Sequence, residues 1–504
     1  MELEDEILTR IEGPLRSSIA SFQGNYISFD EAAVVTKVSG SVVVARGFTK
    51  ISQEECVSID GKYLGIVSII DGSVIKIIML DKTDSIKVGS RVRRTSRPLM
   101  IPVGDGLVGR VVDGLCRPID GKESIPRAKS LPVERPATSI IDRKSVERPL
   151  QTGIKAIDSL IPIGRGQREL ILGDRQTGKT TLALDTILSQ KDQDVLCIYC
   201  SIGQRDSSLA STFKLLKSHG AMAYTIIVHA SGSEIAGHQF VAPYAATSIA
   251  EYFMEQGRHV LLVYDDLTKH ARIYREISLL LEKNPGREAF PADIFYAHAR
   301  LLERSTNRTM EAGGGSITSL PIVETESENI SAYVPTNIIS ITDGQIYLSP
   351  LLFHSGILPA IDVGKSVSRV GSAAQLPAYR SAVRTLGIDY SQFEELESFS
   401  KFSINLDEAT EKVINRGKQI REVLKQKIHS PLDAAKQVGI LLCLNNNVFS
   451  KVPPEKMDEA QDIALGVLDE SPGEMVDAIN GGRNLDQNVL NSFLSRVKNK
   501  LGGE

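Results

Sequence analysis

A chain of 504 residues is too long for a single hydrophobic core, so we expect several domains. Hydrophobic residues make up 42% of the chain and charged residues 24%, which is typical of globular proteins and excludes disordered, collagen-like and disulfide-rich classes. The 58 Lys and Arg residues nearly balance the 62 Asp and Glu residues. The resulting net charge of -4 provides no bulk attraction to nucleic acid or anionic lipid.

The start of the chain and its cysteines indicate a protein that remains in the compartment where it is made. The first six residues are mainly acidic, whereas a signal or transit peptide would be basic. The most apolar stretch, residues 63–80, is interrupted by polar residues and is not a membrane span. The five cysteines are scattered, which suits a reducing cytosol better than a disulfide framework.

Residues 1–18 place Leu and Ile at helical spacing among acidic residues, which predicts a short amphipathic helix. Such a helix could dock on its own domain or bind a partner. From Ala33 to Arg93, β-branched runs alternate with turn dipeptides such as Asp60-Gly61, which predicts a small antiparallel barrel or sandwich. We therefore assign residues 1–93 to an N-terminal helix and β-barrel.

The rest of the chain divides into two further parts. Short apolar runs alternate with helical patterns between Pro98 and Gly371, which predicts a parallel sheet with crossover helices. Ligands of such sheets bind at the carboxyl ends of the strands. After Gly371 strand signals disappear and helical periodicity predominates. We expect an α/β domain over residues 94–371 and an α-helical domain over residues 372–504.

The α/β region contains a P-loop, and its context between an apolar run and a helical pattern is the one that this motif requires. Its glycines let backbone N–H groups wrap a phosphate, a lysine charge faces the terminal phosphates, and a hydroxyl can ligate Mg²⁺. The α/β region is therefore predicted to be a P-loop (RecA-like) nucleotide-binding domain. The candidate nucleotide-binding residues are Gly173, Asp174, Arg175, Gln176, Thr177, Gly178, Lys179, Thr180 and Thr181.

The apolar run 260–264 ends in Asp265 and Asp266, as expected of the strand whose carboxylate holds the water shell of Mg²⁺ in P-loop proteins. Asp265 is the better candidate for this role, with Thr180 as the direct Mg²⁺ ligand. Asp266 is expected to cap the following helix. The predicted ligands are ATP or ADP with Mg²⁺.

Cys197 and Cys200 do not indicate a zinc or redox site. A second pair of ligands is missing, and residues three apart on a strand face opposite sides.

Several stretches give the chain a family resemblance. Residues 167–169 with the P-loop, residues 202–204 and residues 367–375 are similar to the α-subunit family of F-type rotary ATP synthases. The resemblance covers nearly the whole chain and weakens beyond about residue 378. It implies a nucleotide-binding subunit in an α₃β₃ ring around a γ central stalk, with a δ and b peripheral stalk. It also implies peripheral attachment, through partner subunits alone, to the cytoplasmic face of the bacterial plasma membrane.

The resemblance assigns roles to individual residues. A Glu of the catalytic β relative polarises the attacking water at the position of Gln204, and an amide cannot accept that proton. Because small GTPases orient water with a Gln, we expect Gln204 to make this regulatory site slow rather than provably inert. Gln426 is expected to contact adenine. Arg369 is expected to insert into the partner's catalytic site, and Ser366 to support activity through interface geometry. A salt-bridged Arg369 is the alternative.

Three positions depart from the family pattern. His270 stands where most members have Gln, and Glu282 begins a segment that is basic in most members. Ile428 stands where the family has a second Gln that contacts adenine. These departures resemble a divergent bacterial branch, some of whose members have sodium-linked rotors. The coupling ion, H⁺ or Na⁺, is selected by membrane subunits, so the sequence of this chain does not identify it.

Two other functions compete with this interpretation. A self-sufficient hexameric motor of the secretion type would need Glu at position 204, where this chain has Gln204. An RNA-translocating hexamer would need a basic, aromatic face, whereas this chain is slightly acidic. We therefore expect no nucleic-acid partner.

Overall fold

The structure is a computed structural model that describes residues 31–126, 129–400, 408–470 and 473–502. The helix predicted over residues 1–18 lies outside the described residues. Among the described residues, no helix is both long and apolar enough to cross a bilayer.

Six antiparallel strands form a closed barrel in the order β1-β2-β5-β4-β3-β6, as the β-branched runs predicted. Interior positions are apolar and fully buried, for example Val35, Val57 and Ile77. Closure leaves no strand edge free to pair with another chain. The last strand extends past the predicted domain boundary at residue 93, which stays a prediction. The strands are β1 Ala32–Ser39, β2 Val42–Arg46, β3 Glu55–Ile59, β4 Tyr63–Asp71, β5 Val74–Met79 and β6 Arg91–Pro98.

The central domain is built on an eight-stranded sheet in the order β16-β15-β10-β14-β13-β11-β12-β8, and β7 pairs with β9 beside it. Seven strands are parallel, and only the edge strand β16 is antiparallel to its neighbour. Parallel strands that are covered on both faces have continuous runs of apolar residues. This explains why the sequence predicted these strands. The strands are β7 Met100–Val103, β8 Val111–Asp113, β9 Lys129–Pro132, β10 Leu170–Gly173, β11 Val195–Gln204, β12 Thr225–Ser231, β13 His259–Asp265, β14 Ser316–Glu324, β15 Gly344–Leu348 and β16 Ile361–Ser368.

Helices cover both faces of this sheet and divide the buried side chains into two clusters. Cys197 packs in one cluster and Cys200 in the other, which confirms that the two thiols face opposite sides of β11. All five cysteines are free and buried. The helices are α1 Lys155–Leu160, α2 Lys179–Leu188, α3 Asp206–Ser218, α4 Ala236–Glu255, α5 Leu267–Leu280, α6 Ile294–Leu302, α7 Tyr333–Ile341 and α8 Pro350–His354.

The C-terminal part is helical throughout its described residues, as predicted. Its apolar side chains continue one of the two clusters of the central domain, so the two domains share a core. The helices are α9 Pro377–Ala382, α10 Leu386–Ser400, α11 Glu408–Leu424, α12 Ala434–Asn445, α13 Met457–Asp469, α14 Glu474–Asn480 and α15 Gln487–Leu501.

A polar seam joins the helical domain to the central domain near the P-loop. The buried carboxylate of Asp158 accepts hydrogen bonds from Thr152 N at 2.9 Å, Gly153 N at 3.0 Å and Gln437 Nε2 at 2.8 Å. Burial raises the pKa of Asp158 to about 6. These bonds satisfy polar groups of the seam that would otherwise be costly to bury.

His270, one of the departures from the family pattern, is fully buried against His298. His298 Nε2 lies 3.2 Å from His270 Nδ1, and His270 Nε2 lies 3.0 Å from the carbonyl oxygen of Phe240. If His298 Nε2 donates to His270 Nδ1 and His270 Nε2 donates to Phe240, His270 must be neutral, because its Nδ1 accepts a hydrogen bond. Burial lowers the pKa of His270 to about 4 and that of His298 to about 3.

This histidine pair predicts acid destabilisation. The unfolded chain takes up protons near pH 6.5 while the folded pair stays neutral, so the free energy of unfolding falls as the pH drops from 6.5 towards 4. Each imidazole contributes about 2 kcal/mol to the loss between pH 7 and pH 5, where the slope approaches 1.36 kcal/mol per pH unit below pH 6.5. We expect His270→Gln to reduce the pH dependence by about that amount in urea unfolding at pH 7 and pH 5. Equal slopes in variant and parent would contradict this account.

Candidate functional site

The P-loop connects β10 to α2 and borders a cavity of about 510 Å³. Gln176 and Gly178 have positive φ values of 63° and 97°, which turn the loop tightly ahead of the helix. Residues 176–181 line the cavity together with Gln204 and Asp265. A helix N-terminus and turned backbone N–H groups of this kind favour phosphate binding.

Lys179, the first residue of α2, is buried at the base of this loop. Its ammonium donates a hydrogen bond to the carbonyl oxygen of Asp174. Burial lowers the pKa of Lys179, although several carboxylates around the cavity oppose that shift. A buried ammonium beside turned backbone donors provides the positive charge that terminal phosphates require.

Asp174 and Arg175, both predicted to bind nucleotide, are held by other parts of the chain. The Asp174 carboxylate accepts a hydrogen bond from Thr325 Oγ1 at 2.5 Å and one from Glu328 N at 3.1 Å. Arg175 pairs with Glu324 at 3.1 Å. Neither residue lines the cavity with its neighbours, so these two side chains shape the loop.

Asp265, at the carboxyl end of β13, is the centre of the polar cluster next to the P-loop. Its carboxylate accepts hydrogen bonds from Thr180 Oγ1 at 2.8 Å, Tyr199 OH at 2.7 Å and Gln204 Nε2 at 3.1 Å. A hydroxyl and a carboxylate at this separation fit Mg²⁺, which takes few protein oxygens and completes its shell with water and phosphate. Thr180, Gln204 and Asp265 are candidate residues from the sequence that the structure brings together, and no sequence pattern indicated Tyr199.

Tyr199 lies on β11, which pairs with β13 in the sheet. Only the order of the strands makes it a neighbour of Asp265, and no local motif reveals that order.

Asp266 caps α5, as expected, because its carboxylate accepts a hydrogen bond from Lys269 N at 2.7 Å. Burial and the adjacent Asp265 raise the pKa of Asp266 to about 7.

The helical domain closes the opposite end of the cavity. Gln426 and Ile428, in the segment after α11, line it together with Phe353, Leu358 and Pro359. The cavity therefore has a polar end at the P-loop and, between the two domains, an end that is apolar apart from Gln426 and Lys427. A nucleotide has the same division, with charged phosphates at one end and a flat ring at the other.

Arg369 and Ser366 lie away from this cavity, on the edge of the sheet. Arg369 directly follows β16 and is exposed, and its backbone N–H is fixed by the carbonyl oxygen of Asp343 at 2.9 Å. Burial raises the pKa of Glu169 well above its ordinary value, and nearby Arg369 opposes that shift. The guanidinium is thus presented at the surface rather than to the chain's own cavity.

Ser366 is buried in β16 and holds an irregular strand pairing together. Its hydroxyl donates to the carbonyl oxygen of Asp362 at 2.6 Å and accepts from Tyr347 N at 2.9 Å. The register between β15 and β16 shifts between Gln345 and Tyr347. Ser366 therefore fixes the path of the strand that leads to Arg369.

Comparison with known proteins identifies the family. The model described as "ATP synthase alpha/beta family, nucleotide-binding domain" matches residues 153–368, and the model of the C-terminal domain of the same chains matches residues 375–500. The chain is 52% identical to ATP synthase subunit alpha 1 of Chlorobium luteolum, over 94% of this chain and 93% of the relative. It is 50% identical to ATP synthase subunit alpha 2 of Syntrophotalea carbinolica, over 99% of this chain and 96% of the relative. The chain therefore belongs to the ATP synthase alpha/beta family, within its alpha subunits.

Proposed function

We propose that this chain binds Mg-ATP or Mg-ADP as the non-catalytic, regulatory α subunit in the F1 sector of a rotary ATP synthase. The observation that supports this most directly is the cluster of Thr180, Gln204 and Asp265 beside the P-loop. It offers oxygen ligands for Mg²⁺ but an amide where hydrolysis would need a base.

The carboxylates around the cavity support slow or absent hydrolysis. Asp265 accepts three hydrogen bonds, Asp266 caps a helix, Glu324 pairs with Arg175, and Asp185 pairs with His429. Each of these carboxylates already has a hydrogen-bond or ion-pair partner. A water at the γ-phosphate would therefore have to displace that partner before a carboxylate could accept its proton. Gln204 could orient such a water but could not take its proton.

Mg²⁺ would be held by Thr180 directly and by Asp265 through water, and it would neutralise phosphate charge. Lys179 and the backbone N–H groups of residues 176–181 would bind the phosphates. Tyr199 and Gln204 would orient the Asp265 carboxylate by donating to it.

We further propose that Arg369 acts in the catalytic site of a neighbouring β subunit, with Ser366 positioning the strand before it. The exposed arginine at a sheet edge, outside the chain's own cavity, is consistent with a role in trans. The other proposed partners are the γ central stalk and the δ and b peripheral stalk. The complex would work at the cytoplasmic face of the bacterial membrane and couple ATP synthesis to an H⁺ or Na⁺ gradient.

Binding without turnover is the first prediction that tests this proposal. The purified full-length chain is expected to bind Mg-ATP in equilibrium dialysis and to release almost no phosphate. Lys179→Ala should weaken binding by about 100-fold or more, because the terminal phosphates lose a charge-assisted contact of about 3 kcal/mol in a buried site. Lys191→Ala, an exposed lysine beyond α2, is the matched control and should bind normally. Appreciable hydrolysis by the isolated chain would overturn the non-catalytic role.

Co-purification distinguishes this function from its two rivals. An untagged complex containing a β-like P-loop chain at equal stoichiometry supports the proposal. A stable, active homohexamer would favour the secretion-type motor, and tight RNA binding at physiological salt would favour the RNA-translocating one.

A further inference from the structure

The end of the strand that leads to Arg369 is fixed by one hydroxyl group. Ser368 Oγ donates a hydrogen bond to the carbonyl oxygen of Pro162 at 2.7 Å and accepts one from Gly371 N at 3.3 Å. The backbone N–H of Arg369 itself donates to the carbonyl oxygen of Asp343 at 2.9 Å. These bonds fix the backbone on both sides of Arg369, whereas its exposed side chain keeps its rotamer freedom.

Gln167 links this hydroxyl to a buried carboxyl group. Its Nε2 donates to Ser368 Oγ at 3.1 Å and to Glu169 Oε2 at 2.7 Å, and its Oε1 accepts from Gly164 N at 2.8 Å. Gln167 is fully buried, so both amide hydrogens and the amide oxygen are used inside the protein. Hydrogen bonds therefore join the carboxyl of Glu169 to the residue that precedes Arg369.

Glu169, which directly precedes β10, has one oxygen without a partner. The residue is fully buried, and Gln167 contacts only its Oε2. Its Oε1 has no hydrogen-bond partner among the residues that the structure describes. Most buried polar atoms have such a partner, so an exception needs a physical reason. A carboxyl oxygen of this kind can attract a nearby cation when the group is ionised.

The carboxyl of Glu169 packs against the strand pair that leads to Arg369. Gly344, the first residue of β15, is the pairing partner of Ser368 in β16. A Cβ atom at Gly344 would lie 2.5 Å from Glu169 Oε2 and 2.3 Å from the carbonyl oxygen of Val367. A side chain at this position would displace the carboxyl or the strand, so the glycine leaves the room that Glu169 occupies.

Arg369 is the cation whose charge acts on Glu169. Burial raises the pKa of Glu169 well above its ordinary value, and the Asp343 carboxylate adds to that shift. The hydrogen bond from Gln167 and the positive charge of Arg369 oppose it. Asp343 has its own cation, because Arg168 Nε and Nη2 donate to its carboxylate at 3.0 and 2.8 Å. The carboxyl of Glu169 and the guanidinium of Arg369 therefore form a pair in which only the carboxyl is buried.

We propose that Glu169 is a positioning residue for Arg369: its ionised carboxyl attracts the guanidinium and restricts it to directions that reach the neighbouring catalytic site. This inference rests on the proposed role of Arg369 in trans and deepens it. Protonation of Glu169 removes the attraction and releases the side chain. An arginine that is ordered before the reaction does not have to lose its rotamer freedom in the transition state.

The pH dependence of turnover tests this proposal in rings reconstituted with the β partner. Because the pKa of Glu169 is raised, its ionised form is present above that raised value and is lost as the pH falls through it. Glu169→Gln keeps the size of the side chain and has no charge at any pH. We expect the ratio of kcat in the parent ring to kcat in the Glu169→Gln ring to rise from about 1 at pH 6 to about 10 at pH 9. The KM for Mg-ATP should not change.

A second background separates positioning from a merely structural role. In rings that carry Arg369→Ala, Glu169→Gln should change kcat by less than about twofold at either pH, since the group that Glu169 positions is missing. Equal losses in the two backgrounds, or a ratio that does not change with pH, would overturn the inference. Unchanged turnover in Arg369→Ala alone would instead overturn the proposed role of Arg369 in trans.

Two further variants complete the experiment. Glu311→Gln removes an exposed acid and is the matched control, which should behave as the parent ring at both pH values. Glu169→Asp keeps the charge but withdraws the carboxyl by one methylene group. It should lower kcat at pH 9 by about threefold, and only while Arg369 is present. It replaces Glu169→Gln in the same comparison if the amide variant does not fold, and equal losses with and without Arg369 would again overturn the inference.

Discussion

Replacing Arg369 by Lys is expected to lower multi-site ATP hydrolysis by about 10³-fold in a ring reconstituted with the β partner. A guanidinium supplied in trans stabilises the charge of the transferring phosphoryl group, an effect of about 10³ to 10⁵ in related systems. Lysine keeps the charge but loses the planar fork that contacts two oxygens at once. Because Arg369 lies outside the chain's own cavity, nucleotide binding to this subunit should not change.

A ring with Arg384→Lys is the matched control, since Arg384 is also exposed and lies 15 residues further along the chain. The backbone bond between Arg369 N and Asp343 O does not depend on the side chain, so the local fold should survive the substitution. Steady-state turnover and nucleotide occupancy are both measured. Unchanged turnover would show that Arg369 serves only as a charge near Glu169.

Replacing Arg304 by Met should lower the free energy of unfolding by about 3 to 5 kcal/mol. Arg304 is only 1% exposed, and its guanidinium forms two hydrogen bonds of 2.8 Å to the Glu251 carboxylate. It also donates to Val133 O at 2.9 Å and to Ser248 Oγ at 2.7 Å. The substitution leaves a buried carboxylate with only Arg135, at 3.1 Å, to neutralise it.

Guanidinium unfolding of the full-length chain measures this effect, with Arg143→Met as the control. Arg143 pairs with Glu303 at 3.3 Å in a partly exposed position, and such pairs contribute about 0 to 1 kcal/mol. Adding Glu251→Leu to Arg304→Met should recover much of the lost stability, since the unpaired charge is removed. A loss below about 1 kcal/mol in the single variant would contradict the importance of this network.

Local sequence patterns predicted the parts of this protein that depend on neighbouring residues. The P-loop, the apolar strand ending in Asp265 and the turn-rich barrel follow from spacing and composition alone. Apolar runs also marked the parallel strands, because both faces of the central sheet are covered. The roles of Gln204, Ser366, Arg369 and Gln426 came from family resemblance, and they stay proposals.

The missed features depend on contacts between residues far apart in the chain. Tyr199 reaches Asp265 because β11 and β13 pair. The amide of Gln426, a residue expected to contact adenine, also binds groups more than 250 residues away. Glu282, which the sequence marks only as a departure from the family pattern, pairs with Lys76 of the barrel at 2.6 Å. No local pattern reports such partners, since they follow from the packing of whole domains.

The cavity has walls from two domains, and this arrangement has a thermodynamic consequence. A nucleotide that contacts the P-loop at one end and the segment 426–428 at the other acts as a non-covalent cross-link between them. Any rotation of the helical domain away from the P-loop must then give up part of the binding free energy. Occupancy of the site and the angle between the domains are therefore linked quantities, and each can be used to report the other.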